Sequence, residues 1–449
     1  MNTLLLYFLI YTFFRSISNG LDRLSGTSFS MILSLTVIGI GVVAAWHARH
    51  IRIHKRLFVL LIAMSVFVAA CILSFVTNGF GAGKIINQYA ALYEMFRYVH
   101  LIMFVTLLAA LYRHPDFCPR LHRVYMWLLF VISAVGLGQY LTGHAELVTQ
   151  YDKFERVAGL SSHPVPYSLE IVLTFFVCEL SRRKMRLPIQ HFHLAVYSLF
   201  VVALVLSASR TGVALLGVAL SVYLFIQRPG LLPAFAAAFA ILMWASPFGE
   251  LFSDLKTVPD YIMNGEYVVW DWQTAVTSVH WRIHHWYYLS TLGLERAWIG
   301  YGPGQTPLYS PFLLQAHNQF VEIFFDTGMV GLISFAAFWF SLPVAAMSDR
   351  RRLINTFGKK SVEAGILHFW VAIFVGVTLV ALLDQSFNRE TVAFSHLIVT
   401  VFIVLSQPEA VIARSPGWSL RHLLMTAGSP ADVAFGERNL AVAEERRST

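Results

Sequence analysis

Residues 362–384 read VEAGILHFWVAIFVGVTLVALLD, and the two carboxylates of this run, Glu363 and Asp384, stand near its two ends. A bilayer core of about 30 Å is crossed by about 20 apolar residues in a helix. The run is therefore long enough to span a membrane. Similar apolar stretches lie at about residues 3–19, 27–47, 57–76, 96–112, 124–143, 166–181, 192–208, 211–227, 231–248, 318–346 and 391–407.

The composition supports a membrane protein. Hydrophobic residues make up 57% of the 449 positions and charged residues only 13%, whereas a soluble domain carries roughly a quarter charged residues. We therefore predict an all-α integral membrane protein with about 12 transmembrane helices. This composition argues against a cytosolic enzyme. The three cysteines lie in or beside apolar runs, which excludes a disulfide-rich module. The net charge of +8 does not indicate nucleic-acid binding, since no soluble domain gathers the basic residues.

The distribution of Lys and Arg among the loops predicts the orientation. About two thirds of the 33 basic residues fall in alternate loops and in the C-terminal tail, and such loops stay in the cytoplasm. We therefore expect both termini in the cytoplasm. The opening stretch, MNTLLLYFLIYTFF, has neither a basic n-region nor a small-residue cleavage site, so we expect it to be retained as the first helix.

One loop, between about Phe248 and Ala316, is much longer than the others. Long loops in compact proteins usually have a function, and this one carries five tryptophans and a glycine cluster. We predict that it forms a partly helical, folded cap. The predicted regions are transmembrane helices 1–9 over residues 1–248, the cap over 249–316, helices 10–12 over 317–407, and a mobile tail over 408–449.

Arg210 lies in the polar turn Ser207-Ala208-Ser209-Arg210-Thr211-Gly212 between two apolar stretches, on the side opposite to the basic loops. A guanidinium at the membrane surface favours an anion, and its planar fork of donors suits phosphate oxygens. The alternative is that Arg210 reaches the lipid headgroups or pairs with a carboxylate such as Asp384.

A second arginine, Arg282, lies in the segment SVHWRIHHW (residues 278–286), which reads as a helix inside the long loop. A helix under a cap can direct one arginine into a cleft. His280 and His284 share a face of this helix and have the spacing of metal ligands. The alternative, which we favour, is an interfacial face of aromatic and histidine side chains with no metal.

A glycine cluster, Gly300-Tyr301-Gly302-Pro303-Gly304, is followed by His317 and Asn318 at the point where the long loop enters a helix. Glycines at this density allow close backbone approach or a positive φ. A neutral imidazole can accept a proton from an attacking hydroxyl near pH 7, so His317 is a candidate general base. The alternative is a structural histidine bonded to the backbone at the start of the helix.

A fourth patch, RVAGLSSHP (residues 156–164), precedes the sixth stretch and offers a cation, Arg156, and an imidazole, His163. A turn held by its proline and glycine is the alternative interpretation. Arg389, in the short turn after Asp384, is a similar candidate.

Together these motifs resemble the O-antigen ligase and polymerase superfamily of bacterial envelope glycosyltransferases. The resemblance rests on the Ser209-Arg210-Thr211-Gly212 turn, the Arg282 helix, the glycine cluster, His317-Asn318, Glu322 and Gly328-Met329-Val330-Gly331-Leu332. The patch at residues 156–164 also fits, so the likeness extends over most of the chain.

The resemblance implies a type C-like glycosyltransferase of the bacterial inner membrane, which moves a glycan from undecaprenyl pyrophosphate to the lipid A-core in the periplasm. It also implies that neither a metal nor a nucleotide cofactor is needed. Arg210 and Arg282 match the arginines thought to hold the donor pyrophosphate, and His317 matches the histidine proposed to activate the acceptor. Residues expected to support the site are Arg156, His163, Tyr301, Asn318 and Arg389.

Other activities remain open from the sequence. A polymerase of the same superfamily uses a second lipid-linked chain as its acceptor, and a protein O-oligosaccharyltransferase uses a protein hydroxyl. A lipid-linked sugar flippase or a secondary transporter is the alternative from another class, with Arg210 and Asp384 in a translocation path. The long loop and the number of apolar stretches favour the ligase.

Overall fold

The computed structural model describes residues 2–25, 29–48, 52–53, 55–81, 85–143, 156–161, 163–245, 278–347, 361–383, 391–406 and 418–419. These residues are almost entirely helical. A two-residue antiparallel pair joins β1 (Arg52–Ile53) to β2 (Trp418–Ser419). The first part of the predicted cap, Arg389 and most of the C-terminal tail lie outside the described residues.

Fourteen α-helices lie within the described residues. They are α1 (Asn2–Ser25), α2 (Phe29–Ala48), α3 (Lys55–Val76), α4 (Gln88–Leu111), α5 (Phe117–Thr142), α6 (Pro164–Lys184), α7 (His191–Leu206), α8 (Arg210–Gln227), α9 (Leu232–Ala245), α10 (Ser278–Leu294), α11 (Thr306–Tyr309), α12 (Gln319–Met347), α13 (Val362–Leu383) and α14 (Thr391–Leu405). A π-helical turn, Thr77–Gly81, extends α3, and a 3₁₀ turn, Pro229–Leu231, precedes α9.

The helices confirm the predicted fold class. Each of the twelve predicted apolar stretches coincides with a helix. Eight of the described helices, α2 to α6, α8, α12 and α13, are long and apolar enough to cross a membrane, and shorter apolar helices cover His191–Leu206, Pro229–Ile241 and Phe394–Leu405. The chain is an all-α, multi-pass membrane protein. The helix predicted around Arg282 is also present, as α10.

Two buried tryptophans of the helix bundle have hydrogen-bond partners for their indole N–H groups. The indole N–H of Trp370 donates to Thr400 Oγ1 at 2.9 Å, and that of Trp339 donates to Thr378 Oγ1 at 3.0 Å. Both rings are fully buried. A buried polar group without a partner costs free energy, so these threonines allow large aromatic rings to fill the interior.

The two ends of the bundle have different chemistry. At one end, which we call the basic end, Arg186 pairs with Glu363 at 3.0 Å, and Lys184 donates to the carbonyl of Val404. Gln227, at the end of α8, is hydrogen bonded to His368 near the same end. The opposite end, which we call the site end, contains the first residues of α6, α8 and α12 and the last residues of α13.

Helices α8 and α13 pack in an antiparallel orientation. Beyond the Gln227–His368 contact, a Cβ atom on Gly376 would meet the backbone oxygen of Leu215 at 3.1 Å and the Cβ of Ala219 at 3.5 Å. The two helices therefore approach closely along their length. This pairing brings the start of α8, at Arg210, to the same end of the bundle as the end of α13.

The long apolar stretch at 318–346, which the sequence predicts as one continuous run, is broken in the structure. Gly328 has φ 66° and ψ −166° inside α12, which no helix contains. A Cβ atom there would lie 2.3 Å from the carbonyl carbon of Trp298. At this point the loop at residues 297–302, which leads into the glycine cluster, passes directly against the helix.

Backbone groups freed by the break are bonded to that loop. The amides of Tyr301 and Gly302 donate to the carbonyls of Phe325 and Asp326 at 3.0 and 2.8 Å. In the other direction, the amides of Met329 and Val330 donate to the carbonyls of Ala297 and Trp298. Buried backbone groups outside regular helix need such partners.

We predict that Gly328→Ala destabilises the protein, because the added Cβ collides with the Trp298 carbonyl and a backbone at positive φ with ψ near 180° costs an L-residue of order 1–3 kcal/mol. Thermal unfolding of the purified protein in detergent measures this effect.

Gly365→Ala, in α13, is the matched control, since nothing lies within 4 Å of its added Cβ. Replacing a glycine by alanine inside a helix stabilises it by roughly 0.5–1 kcal/mol. Equal midpoints for the two variants would contradict a structural requirement for glycine at position 328.

Candidate active site

Two predicted site residues, Arg282 and His317, lie against the indole ring of Trp281. The imidazole of His317 lies edge-on to the indole, with ring centroids 5.1 Å apart and an interplanar angle of 89°. The guanidinium carbon of Arg282 lies 5.7 Å from the centroid of the same ring. The structure therefore brings together Arg282 and His317, which are 35 positions apart in the sequence.

The backbone of His317 has an uncommon conformation. Its φ is +51°, in the left-handed region that non-glycine residues adopt rarely. Such a conformation costs of order 1–3 kcal/mol and persists only where the surroundings fix it. The preceding carbonyl, of Ala316, accepts a hydrogen bond from the indole N–H of Trp286 at 2.6 Å. Helix α10 thus contacts His317 through Trp281 and its neighbouring peptide through Trp286.

Asn318 connects the start of α12 to the end of α13. Its Oδ1 accepts from the amides of Phe320 and Val321 at 3.0 and 3.1 Å, as a helix N-cap does. Its Nδ2 donates to the carbonyl of Leu382 at 2.8 Å. Asn318 therefore holds the turn that carries His317 against the last turn of α13.

Arg282 is anchored on the same turn. Its Nη1 donates to the carbonyl of Leu383 at 3.2 Å, and a cation is favoured at a helix C-terminus by the unsatisfied carbonyls there. Its Nε is buried and has no hydrogen-bond partner among the described residues. The edge of the guanidinium that carries Nε is one of the two edges that can bind an oxyanion in a bidentate manner.

Arg210 begins α8 and is half-buried. Ser209 caps the helix through Oγ, which also accepts from Ser168 Oγ at 2.7 Å. The turn before it is tight, since Ala208 has φ +45°. The antiparallel packing of α8 and α13 places Arg210 at the same end of the bundle as the Leu383 carbonyl that holds Arg282.

The segment at 156–161 lies beside this turn. The amide of Val157 donates to the carbonyl of Leu206 at 3.3 Å, just before the turn that leads to Arg210. His163 caps α6, with Nδ1 accepting from the amide of Val165 at 3.2 Å. Arg156 is half-buried in this segment. The contact at Nδ1 of His163 is one that a turn held before a proline makes.

Tyr301 packs behind the turn that carries His317. Its ring stacks on Phe325, with centroids 4.7 Å apart, and belongs to a small apolar cluster with Leu289 and Ala316. Its hydroxyl donates to Glu295 Oε2 at 3.0 Å. Burial, and then the bond to Glu295, raise the pKa of Tyr301 to about 12. These contacts favour a packing role for Tyr301 rather than one in the chemistry.

Sequence reasoning missed His285, which is fully buried beside this site. Its Nε2 is hydrogen bonded to Ser310 Oγ at 2.7 Å, and its ring lies 5.1 Å from Phe312. Burial, followed by the charges of His317 and His284, lowers the pKa of His285 to about 3. The four-residue spacing from Trp281 was the available signal, since it puts both rings on one face of α10.

The described residues do not support a metal site at His280 and His284. Within the described ranges, no three His, Cys, Asp or Glu side chains gather as metal ligands would. His284 lies edge-on to Phe312, with centroids 5.9 Å apart. Asp384, Arg389 and the side chain of His280 lie outside the described residues.

The fold and the site thus define a multi-pass membrane protein with an arginine and a histidine at one indole ring, at the end of the bundle opposite to the basic end. A family model described as O-antigen ligase matches residues 195–336. The match confirms the resemblance to the O-antigen ligase superfamily. It includes Arg210, Arg282 and His317, whereas Arg156 and His163 precede it. No curated protein matches the chain.

We predict that His285 makes stability depend on pH. Because its folded-state pKa of about 3 lies below the ordinary value of 6.5, the unfolded chain binds a proton in this interval and the folded protein does not. Its contribution to the free energy of unfolding is therefore lost as the pH falls from about 6.5 towards 3. We expect the unfolding midpoint to fall less on acidification in His285→Gln than in the wild type.

The exposed His191 provides the control. His191→Gln should retain the wild-type dependence on pH. If His285→Gln retains it as well, His285 is not the residue responsible.

Proposed function

We propose that the chain is an O-antigen ligase, which transfers a polysaccharide from undecaprenyl pyrophosphate to the lipid A-core oligosaccharide. The observation that carries the proposal is the meeting of Arg282 and His317 at Trp281, with Arg282 and Asn318 bonded to consecutive carbonyls of α13. An oxyanion-binding group and a proton acceptor in fixed relation are what glycosyl transfer from a pyrophosphate requires. The family match supports the same class of reaction.

Arg282 and Arg210 are the proposed ligands of the donor pyrophosphate. As the glycosidic bond breaks, its electron pair goes to the bridging oxygen, and negative charge increases on the leaving pyrophosphate. Guanidinium groups directed at that charge stabilise the transition state more than the ground state. The unpartnered Nε of Arg282 supports this role.

His317 is the proposed general base. It accepts the proton of the acceptor hydroxyl while that oxygen bonds to the anomeric carbon, on the face opposite to the departing pyrophosphate. A single displacement of this kind inverts the anomeric configuration. The reaction requires no ATP, because the donor already carries its leaving group.

The proposed orientation puts the basic end in the cytoplasm and the site end in the periplasm. Loops rich in Lys and Arg remain in the cytoplasm, and Arg182, Arg183 and Lys184 belong to the basic end. Both termini are then cytoplasmic, in the inner membrane. A lipid-linked donor reaches such a site from the bilayer, with its polyprenyl chain against apolar helix surfaces.

Transfer with lipid-linked glycan and isolated lipid A-core as the only substrates tests the proposal. We expect product from the wild type and a loss of roughly 10²–10⁴-fold in His317→Asn, because a positioned base contributes about that much. Asparagine is the chosen replacement because it tolerates a left-handed φ. Wild-type turnover in this variant would exclude His317 as the base.

A lysine scan tests the arginines. Lysine keeps the charge but loses the planar fork, so Arg210→Lys and Arg282→Lys should both lose donor binding and turnover. Arg120→Lys, at a surface pair with Asp116, is the control and should remain active. Unchanged transfer in both site variants would exclude Arg210 and Arg282 as ligands of the pyrophosphate.

Chelation provides a separate prediction. The proposed displacement uses no metal, and EDTA should therefore leave the rate unchanged. A loss of activity that zinc restores would support the metal interpretation of His280 and His284.

The lipopolysaccharide of a deletion strain distinguishes the acceptors. Loss of a ligase leaves bare core and accumulated lipid-linked polymer, whereas loss of a polymerase leaves core that carries one repeat unit. Normal lipopolysaccharide together with an unglycosylated protein acceptor would indicate a protein O-oligosaccharyltransferase.

A further inference from the structure

We propose that Trp286 is a positioning residue for the imidazole of His317. Its indole N–H fixes the peptide that precedes His317, and through it the direction in which the side chain leaves the backbone. The inference rests on the proposed function, in which His317 is the base. It concerns a residue of α10 that does not itself reach the reacting atoms.

The bond between Trp286 and Ala316 is the first observation. The distance of 2.6 Å from Nε1 to the carbonyl oxygen is short for an N–H···O bond. Ala316 is fully buried and packs in the cluster of Leu289, Tyr301 and Phe325. The carbonyl therefore has a fixed partner on a rigid helix in an enclosed environment.

Because of the backbone conformation of His317, this bond affects the direction of the His317 side chain. At φ +51°, rotation of the preceding peptide changes the direction of the Cα–Cβ bond of His317. No regular secondary structure holds residues 310–318, so the orientation depends on contacts with side chains. Trp286 fixes the peptide before His317, and Asn318 holds the residue after it through Leu382.

The position of Trp286 on α10 also links it to two other residues of the site. Trp281, which contacts the imidazole, and Arg282, the proposed pyrophosphate ligand, belong to the same helix. A single rigid element therefore sets the separation between the oxyanion-binding group and the base. Displacement of a reacting group by about 1 Å can lower a rate by 10²-fold, so loss of the Trp286 bond should affect the chemical step.

Trp286→Phe tests the proposal, because it removes the indole N–H and retains an aromatic ring. We expect kcat to fall by about 10- to 100-fold, with the KM for the lipid-linked donor within about twofold of the wild type. The unfolding midpoint in detergent should remain close to that of the wild type. Trp298→Phe is the control, since its side chain is 71% exposed, and should retain wild-type kinetics.

A double-mutant cycle separates positioning from a general structural role. If Trp286 acts through His317, adding Trp286→Phe to His317→Asn should cause no further loss of residual transfer. Additive losses would overturn the proposal, as would wild-type kcat in Trp286→Phe or an equal loss of donor binding. A fully active His317→Asn would instead exclude His317 as the base, whereas an absence of transfer by the wild type would reject the proposed function.

Discussion

The requirement that every buried backbone group find a partner governs the part of this protein that carries the site. Helix α12 is interrupted at Gly328, and a buried backbone group freed there costs free energy unless it finds a partner. The loop at 297–302 provides these bonds, two in each direction. The interruption and the loop thus form one unit, because the backbone groups of each are the hydrogen-bond partners of the other.

Two further elements depend on this unit. Ser74 and Asn78, at the end of α3, bond to the carbonyls of Ile299 and Gly300 and so attach the loop to the bundle. Asp326, beside the break, accepts from the amides of Gly304 and Thr306 at 2.7 and 3.0 Å. The short first part of α12, from Gln319 to the break, is therefore held at both ends, by Asn318 and by the loop. This arrangement gives His317 a rigid support although it lies outside any helix.

The sequence predicts the parts of the site better than their arrangement. Apolar length predicts the helices, and residue type predicts Arg282 and His317, because these depend on local composition. The bond from Asn318 to Leu382 and that from Arg282 to Leu383 join residues 64 and 101 positions apart. No local pattern encodes such contacts. The left-handed φ of His317 is equally inaccessible to local sequence reasoning.

Two residues show how packing adds contacts that local reasoning does not predict. Tyr301 belongs to a motif of glycines, and its position there suggested a supporting role, whereas its ring stacks on Phe325 and its hydroxyl bonds to Glu295. His284 attracted attention through its spacing from His280, while the adjacent His285 lies against Trp281 and Ser310. In a helix, each residue shares a face with the residues four positions before and after it. Only packing shows which face points inward.

The close packing of α8 against α13 at Gly376 has a consequence for how the protein responds to its lipid environment. A bilayer thinner or thicker than the hydrophobic length of a helix is accommodated by tilt. Two antiparallel helices in backbone contact tilt together, so the turn of α13 that holds Arg282 and Asn318 would move with the start of α8 at Arg210. Hydrophobic mismatch would therefore reorient these groups as one body and leave their mutual spacing unchanged.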